Sequence, residues 1–303
     1  MPGNTFSSGS HNLTAEYSGD GNFGAATSNT VVQQVDNCAT NQTVTDPGDS
    51  GPNTLRQALI GTCEGGTVNF NLGSGPHTIT LASELSVARS VNIVNTLSAN
   101  NGRVTISGNN ATRLFNVMSG ASVAMVNLTL TEGNGSGGDG GAVQNSGTLT
   151  LAGLTLNSNA GHDGGAIRND GSLAILNSTL SGNSATQDGG AILNSAGHTL
   201  TLTNVTITGN SAAGNGGGIS NVGIASLSNT ILAGNSSTIS APDAFGSFTS
   251  LGHNLVGKSD GAGGFSNGVN GDQVGTIATP TDPLLRALAD NGGGAFTHSP
   301  AAR

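Results

Sequence analysis

Three aspartates that recur at nearly constant spacing are the residues of this sequence best placed to do chemistry. Asp139, Asp163 and Asp188 each precede a Gly-Gly pair and lie 24 and 25 positions apart. If the chain repeats a structural unit at that spacing, the carboxylates stack in a column and repel one another. A calcium ion could relieve this repulsion, because calcium prefers carboxylate oxygens. The alternative is that each aspartate closes a turn, a role that Asn215 in the fourth copy fits equally well. We expect no other cofactor.

A charged group surrounds the middle aspartate. His162, Arg168 and Asp170 flank Asp163 in a chain of which only 8% is charged. Polygalacturonases, which are β-helices, use such residues, but their Asn-Thr-Asp, Gly-His-Gly and Arg-Ile-Lys phrases are absent. A glycan cleft also needs walls built from long loops, and the turns ahead of these aspartates are short. We therefore expect that the chain is not an enzyme. A carbohydrate-active enzyme, either a polysaccharide lyase or a glycoside hydrolase, is the alternative.

Residues 48–52 imitate a protease motif. They read Gly-Asp-Ser-Gly-Pro, like the nucleophile phrase of trypsin-like proteases. His11 is the only histidine upstream, so no catalytic triad of that order can be assembled. We interpret the phrase as a turn that precedes a helix.

A recurrent set of threonines could provide a binding surface. A flat array of hydroxyls is how some solenoids bind ice, but threonine is also a favoured exposed strand residue. Phe245 and His253, in the irregular stretch 236–281, are further candidates for binding a ligand. The threonines predicted to face outward in one row are Thr129, Thr155, Thr179, Thr206 and Thr230.

The element that must position these residues is a repeat of 24 to 27 residues. Residues 139–145, Asp-Gly-Gly-Ala-Val-Gln-Asn, return at 163–169, at 188–194 and more loosely at 215–221. Each repeat holds three short runs that alternate apolar and polar residues, separated by Gly and Asn turns. This pattern predicts an all-β fold, a parallel β-solenoid with three strands per coil and about eight or nine coils. Parallel crossovers are right-handed, so we expect a right-handed β-helix.

The repeat also predicts the inside of the solenoid. Apolar residues at equivalent positions should stack in inward columns, and asparagines in the turns should form hydrogen-bonded ladders between coils. The predicted columns are Val143, Ile167, Ile192 and Ile219; Leu151, Ile175 and Leu202; and Leu156, Leu180 and Ile207. The predicted ladders are Asn145, Asn169, Asn194 and Asn221, and Asn127, Asn177, Asn204 and Asn229.

Two cysteines flank the clearest helix signal. Residues 54–60 should form a helix capped by Asn53, with Leu55, Leu59 and Ile60 on one side. A disulfide between Cys38 and Cys63 would close a 26-residue loop and contribute about 3 kcal/mol. The alternative is two unrelated buried thiols.

Composition limits the partners. The net charge is −9 and the chain has one lysine, so nucleic acid and anionic membranes are not expected partners. No run of 18 apolar residues exists that could span a bilayer. No signal peptide is visible, and we interpret the chain as one that begins within a domain.

Most of the chain resembles a bacterial family. From about residue 36 onward it resembles the secreted β-helix proteins of the choice-of-anchor Q type. The Gly-Gly-Ala-Ile repeat is also similar to that of polymorphic outer-membrane proteins, although Leu156, Leu180 or Ile207 stands where that family has phenylalanine. Residues 11–32 resemble the last strands of a bacterial Ig-like domain. The phrases that carry the first resemblance are 49–58 with 63–68, 104–110, the repeat itself, and 250–257 with 271–275 and 282–293.

The resemblance implies an extracellular or cell-surface protein that continues towards an anchor. We expect four segments: an Ig-like remnant over 1–35, a linker and capping helix over 36–66, the β-helix over 67–278 and a C-terminal cap or tail over 279–303. We expect a monomeric, adhesin-like rod that contacts a glycan or matrix component, and we expect residues 282–293 to cover the last coil.

Overall fold

The computed structural model describes residues 9–35, 38–96, 102–292 and 295–301. The chain divides into two compact units, Met1–Ala39 and Thr40–Arg303. In the first unit, Gly9–Leu13 pairs with Val31–Val35 and Glu16–Tyr17 pairs with Ala26–Thr27, both antiparallel. These two antiparallel pairs are short, with five and two residues per strand.

The second unit is a parallel β-solenoid of about nine turns, which confirms the predicted fold class. Each turn contributes strands to three stacked sheets. Sheet I contains Ala39–Val44, Thr62–Phe70, Val91–Val94, Ser122–Val126, Thr148–Ala152, Ser172–Leu176, Thr199–Thr203, Ile224–Ser228 and Thr249–Ser250. Sheet II contains His77–Thr80, Val104–Ser107, Leu128–Thr131, Thr155–Asn157, Thr179–Ser181, Thr206–Thr208, Ile231–Leu232, Leu255–Val256 and Gln273–Val274. Sheet III contains Leu85–Val87, Phe115–Val117, Val143–Asn145, Ile167–Asn169, Ile192–Asn194, Ile219–Asn221, Ala244–Ser247 and Ala262–Gly263.

A fourth, narrow sheet was not predicted. Its strands are two residues long and lie between sheets II and III in the regular turns. Two-residue runs of small residues give no alternation to detect, so the sequence pattern does not reveal these strands. Sheet IV contains Ala160–Gly161, Ser184–Ala185, Ser211–Ala212 and Ser236–Ser237.

The core consists of the predicted apolar columns. Strand registers place Val143 opposite Ile167, then Ile192 and then Ile219, and all four are fully buried. The other two columns are also in register and buried, and each extends beyond its predicted members. Their members include Ile93, Met125, Leu151, Ile175, Leu202 and Leu227 in sheet I, and Ile79, Ile106, Leu130, Leu156, Leu180, Ile207 and Leu232 in sheet II.

One predicted asparagine ladder is confirmed. The Nδ2 atoms of Asn145, Asn169 and Asn194 each donate to the Oδ1 atom of the next asparagine at 2.7 Å, as far as Asn221. These side chains are buried, and each belongs to the last residue of one of four successive strands of sheet III. They take over there from the apolar pair Val87 and Val117 of the earlier turns.

The second predicted ladder is largely wrong. Asn127, Asn177, Asn204 and Asn229 all have positive φ, between 49° and 56°, which is the reason that asparagine occupies these turns. Asn204 donates to Asn177 at 3.0 Å, but that pair is exposed. The second buried ladder is instead Asn159, Asn183, Asn210 and Asn235, whose amides bond at 2.8–2.9 Å.

A helix at Leu55–Gly61 precedes the first complete turn. Its N-cap is Thr54 and not Asn53, because the Thr54 hydroxyl accepts from the Gln57 amide while Asn53 adopts φ 63°. Leu55 and Ala58 are buried against the core, but Ile60 is 64% exposed, so the prediction that Ile60 shares one side of the helix with Leu55 is wrong. Both Cys38 and Cys63 are disulfide-bonded.

Near the C-terminus the chain forms an antiparallel hairpin, Leu285–Ala289 with Thr297–Pro300. It lies against sheet II in the middle of the solenoid, and its contacts reach back to Arg103. Residues 282–293 were expected to cover the last coil, and the described part of that segment instead runs back across the turns. Within the described ranges, no helix is long and apolar enough to cross a membrane.

Candidate functional site

The described parts of residues 282–301, here called the strap, cover the predicted threonine row. The hydroxyl of Thr155 donates to the Phe296 carbonyl at 3.0 Å, and His298 Nε2 lies 3.0 Å from Ser181 Oγ. Arg103 forms an ion pair with Asp290, and its guanidinium lies 4.9 Å from the centre of the Phe296 ring. These contacts join the strap to three turns of sheet II, those that contain Val104–Ser107, Thr155–Asn157 and Thr179–Ser181.

The threonine row is therefore not the open surface that the sequence predicts. Thr129, Thr155 and Thr179 are in register, but only 4%, 0% and 4% of their surfaces are exposed. Thr206 continues the row and is half-buried. Thr230 is not part of it, because Ile231 pairs with Thr206 and Thr230 is itself buried. Among the described residues, the Thr129 hydroxyl has no hydrogen-bond partner.

Sheet I offers the exposed hydroxyls that sheet II does not. In four successive strands of sheet I the first residue carries an exposed hydroxyl, and these residues are in register. They are Ser122, Thr148, Ser172 and Thr199. The Thr199 hydroxyl donates to Ser172 Oγ at 3.1 Å. We call these four residues together with Thr150, Thr201 and Ser226 the hydroxyl face. The sequence contained this signal in the alternation of Thr148–Ala152 and Thr199–Thr203.

The charged residues around Asp163 do come together, as a network of ion pairs. Arg168 Nη1 lies 3.0 Å from Asp139 Oδ2 and 3.2 Å from Asp163 Oδ2, and Arg168 Nε lies 3.1 Å from Asp170 Oδ1. His162 Nδ1 lies 3.4 Å from Asp139 Oδ1. Ligand atoms of Asp139, His162 and Asp163 lie within 4.8 Å of one another, a spacing that could hold a metal ion. The guanidinium of Arg168 already supplies the positive charge that the stacked carboxylates need.

The aspartate column also has a structural role, which links successive turns and differs from the predicted closing of each single turn. Asp139 Oδ1 accepts from the Asp163 amide at 3.1 Å, Asp163 Oδ1 accepts from the Asp188 amide at 3.0 Å, and Asp188 Oδ1 accepts from the Asn215 amide at 2.6 Å. Each carboxylate thus ties its turn to the next. Calcium binding by Asp139, Asp163 and Asp188 stays a prediction.

Asp170 completes this network. Burial acts to raise the pKa of the Asp170 carboxyl, but hydrogen bonds from Ser195, Arg168 and Gln144 outweigh it and lower the pKa below its usual value. The Gln144 amide donates at 2.6 Å. Asp170 is therefore an ionised acceptor and not a proton donor at neutral pH.

Arg113 extends the network of ion pairs around Asp163 towards the N-terminal turns. This role of Arg113 is not predicted from the sequence. Its guanidinium donates to the Asp139 carbonyl at 2.8 Å and to the Glu84 carboxylate at 2.8 Å.

A groove of about 400 Å³ lies between the helix Leu55–Gly61 and the first strand of sheet III, and it is lined in part by Leu59 and Leu85. None of the residues around Asp163 lines it.

Phe245 and His253 lie on different parts of the solenoid. Phe245 is on sheet III, in register with Ser220. His253 is exposed, has φ 59° and lies against Gly271 in a turn. The aromatic pair in this region is instead Phe248 and Phe265, with ring centres 5.3 Å apart, and it closes the C-terminal end of the core. Ligand binding by Phe245 or His253 stays a prediction.

No family model matches this chain, and no curated protein is similar to it. The resemblances to choice-of-anchor Q proteins, to polymorphic outer-membrane proteins and to an Ig-like domain therefore stay predictions, whereas the β-solenoid itself is shown by the structure.

Proposed function

We propose that this chain is an extracellular or cell-surface rod that binds a glycan or another polar matrix polymer through the hydroxyl face, without cleaving it. The observation that carries the proposal is the register of Ser122, Thr148, Ser172 and Thr199, one exposed hydroxyl per turn. Turns are about 4.8 Å apart. A row of identical groups at that spacing suits a partner that also repeats hydroxyls or carboxylates.

Sparse charge also supports weak, repeated contacts. The outward positions of Ser122–Val126, Thr148–Ala152 and Thr199–Thr203 carry hydroxyls and small apolar groups and no ionic side chain. Each contact made by such a surface is worth little by itself, and several in register act together. This favours adhesion-like binding over recognition of one small ligand.

The state of the acidic residues supports binding without glycan cleavage. Glycosidases use two carboxyl groups, one to donate a proton and one to attack or to activate water. Asp139, Asp163 and Asp170 are instead bound to Arg168 and to backbone or side-chain donors. A glycan-cleaving enzyme is the second candidate function, and its only support is that the carboxylates of Asp139, Asp163 and Asp170 lie close together.

The experiment compares two triple variants by affinity electrophoresis in gels that contain pectin, alginate or xylan. Thr148→Ala/Ser172→Ala/Thr199→Ala removes three hydroxyls from the hydroxyl face. Ser184→Ala/Ser211→Ala/Ser236→Ala removes three exposed hydroxyls that are in register on sheet IV and is the matched control. We expect retardation by at least one polymer, lost in the first variant and kept in the second.

The same samples are incubated with each polymer, with and without calcium, and tested for new reducing ends or unsaturated products. We expect none. Turnover that disappears in Asp163→Ala would overturn the proposal in favour of an enzyme. Binding that both triple variants keep would show that another face makes the contact.

A further inference from the structure

A serine and a histidine meet where the strap crosses sheet II. Ser181 is the last residue of the strand Thr179–Ser181, and its Oγ lies 3.0 Å from Nε2 of His298, 117 residues later in the chain. The other ring nitrogen, Nδ1, lies 2.6 Å from the carbonyl oxygen of Arg286 on the neighbouring strand of the hairpin. Nothing in the repeat pattern requires either contact.

The contact between His298 Nδ1 and the Arg286 carbonyl determines which atom donates in the hydrogen bond between His298 and Ser181. A carbonyl oxygen only accepts, so His298 Nδ1 must carry the proton that it donates to Arg286. The neutral ring then has a free lone pair on Nε2, which accepts from the Ser181 hydroxyl. A nucleophile bonded to a base, with the base oriented by a third group, is the arrangement that activates serine for acyl transfer.

Space and a hydrogen-bond donor lie beside the Ser181 hydroxyl. Gly182 is exposed, with φ 67°, and a Cβ built on it would meet nothing within 4 Å. A Cβ built on Gly209 would lie 3.7 Å from Ser181 Oγ and 3.8 Å from Gly182 N. Among the described residues, no acceptor pairs with the Gly182 amide. The absence of side chains at both glycines leaves room for a small acyl group next to this N–H.

We propose that Ser181 and His298 form a catalytic dyad that hydrolyses small acyl esters, such as acetyl esters. Ser181 Oγ attacks the ester carbonyl carbon as its proton passes to His298 Nε2. The Gly182 amide stabilises the oxyanion. The C–O bond to the alcohol then breaks, and His298 returns the proton to the leaving oxygen. Water then attacks the acyl carbon as His298 Nε2 takes its proton, the bond from that carbon to Ser181 Oγ breaks, and His298 passes the proton to Ser181 Oγ, which releases the acid and regenerates the dyad.

This activity goes beyond the proposed binding function and departs from the expectation that the chain is not an enzyme. It uses a different face of the solenoid from the hydroxyl face and breaks no glycosidic bond. It also gives the strap a chemical role, because His298 and the carbonyl of Arg286 both belong to the strap.

The test is covalent labelling of the whole chain with a fluorophosphonate probe, followed by peptide mass spectrometry, together with p-nitrophenyl acetate hydrolysis. We expect labelling at Ser181, none in Ser181→Ala, and a loss of at least tenfold in His298→Gln, whose amide can still bond to Ser181. Ser228→Ala is the matched control, since Ser228 is a strand-end serine whose hydroxyl donates to Thr203 Oγ1 at 3.3 Å. It should leave both readouts unchanged.

Gly209→Ala keeps Ser181 and His298 but fills the adjacent space, so it should reduce hydrolysis without lowering strap occupancy. Thr155→Val removes a strap contact and leaves the dyad intact, and it should keep most of the labelling. Thermal melting shows that each variant is folded. Labelling of Ser181 no faster than that of Ser228, or labelling that persists in His298→Gln, would overturn the inference and leave the Ser181–His298 contact as a structural hydrogen bond.

Discussion

The hydroxyl of Thr155 donates a hydrogen bond to the carbonyl oxygen of Phe296, 141 residues later, at 3.0 Å. Thr155 lies in the middle of the row that the sequence predicts to be an open binding surface, and it is fully buried. The strap therefore decides which surface of the rod is available. Sheet II is covered in its central turns, and exposed hydroxyls in register remain on sheets I and IV.

Replacing Ile192 by Asp should unfold the central turns. Ile192 is fully buried between Ile167 and Ile219, and the solenoid has no second layer that could accommodate a carboxylate there. We expect loss of the cooperative thermal transition or a fall in the free energy of unfolding of about 4 kcal/mol or more. Circular dichroism during heating measures it.

Thr201→Asp is the control for this substitution. Thr201 is exposed on the strand Thr199–Thr203, so the same charge should change the melting temperature little. Equal melting temperatures for Ile192→Asp and Thr201→Asp would contradict the inward assignment of the column.

Replacing Asn183 by Ala should be costly because the Asn183 side chain makes four hydrogen bonds inside the solenoid. Its Oδ1 accepts from the amide and from Nδ2 of Asn159, and its Nδ2 donates to Leu156 and to Asn210. Buried partners left unpaired cost about 1–3 kcal/mol each. We expect a loss of about 3 kcal/mol or more in urea unfolding. Asn177→Gly, at an exposed position with φ 49°, should cost less than about 1 kcal/mol.

Asp243 should make stability fall as pH rises. It ends the asparagine ladder by accepting from the Asn235 amide and from Asn235 Nδ2 through one oxygen. Burial raises the pKa of the Asp243 carboxyl, only partly offset by the bonds from Asn235 and Lys258. From about pH 3.9 upward the unfolded chain loses this proton while the folded chain keeps it, which favours unfolding until the raised pKa is passed.

The measurement is the difference in free energy of unfolding between wild type and Asp243→Asn, at several pH values from 3.5 to 7. Wild type should lose stability relative to the variant as pH rises, because only wild type titrates at this position. A relative gain of wild type with rising pH would show that hydrogen bonding, and not burial, controls Asp243.

Replacing Arg168 by Met should destabilise the turns around Asp163 by about 1–2 kcal/mol, between the values typical of exposed and of buried ion pairs. The stacked Asp139 and Asp163 carboxylates then lose their shared cation. We expect millimolar calcium to restore part of the melting temperature of Arg168→Met and to leave wild type unchanged. A calcium-dependent rise in wild type would instead support calcium in the intact column. Arg286→Met, at an exposed position, is the control.

The fold was predictable because its main interactions repeat locally. Each inward residue, such as Val143 or Ile192, has an equivalent one turn away, so the columns and the Asn145 ladder are visible as a period in the sequence. The Asn159 ladder was missed although its period was equally regular. Sequence spacing alone does not show whether an asparagine at a turn points inward, as Asn159 does, or outward, as Asn177 does.

The candidate sites were less predictable because they depend on contacts that do not repeat. The strap joins sheet II through pairs such as Arg103 with Asp290 and Ser181 with His298, which are far apart in sequence and occur once. The strands of the strap are short and contain no phrase of the repeat. Sequence reasoning could therefore place the threonines on an outward face, but it could not show that another part of the chain covers that face.

The most direct test of this account measures the exposure of the strap and of sheet II in solution by hydroxyl-radical footprinting. We expect Phe296 and Leu288 in the strap to be oxidised several-fold more slowly than Ile224 and Ile239, which are 62% and 70% exposed. Arg103→Gln, which removes the pair with Asp290, should speed oxidation of Phe296 and Leu288 and leave Ile224 unchanged. Oxidation of Phe296 and Leu288 in the wild type as fast as that of Ile224 would contradict the claim that the strap covers the threonine row.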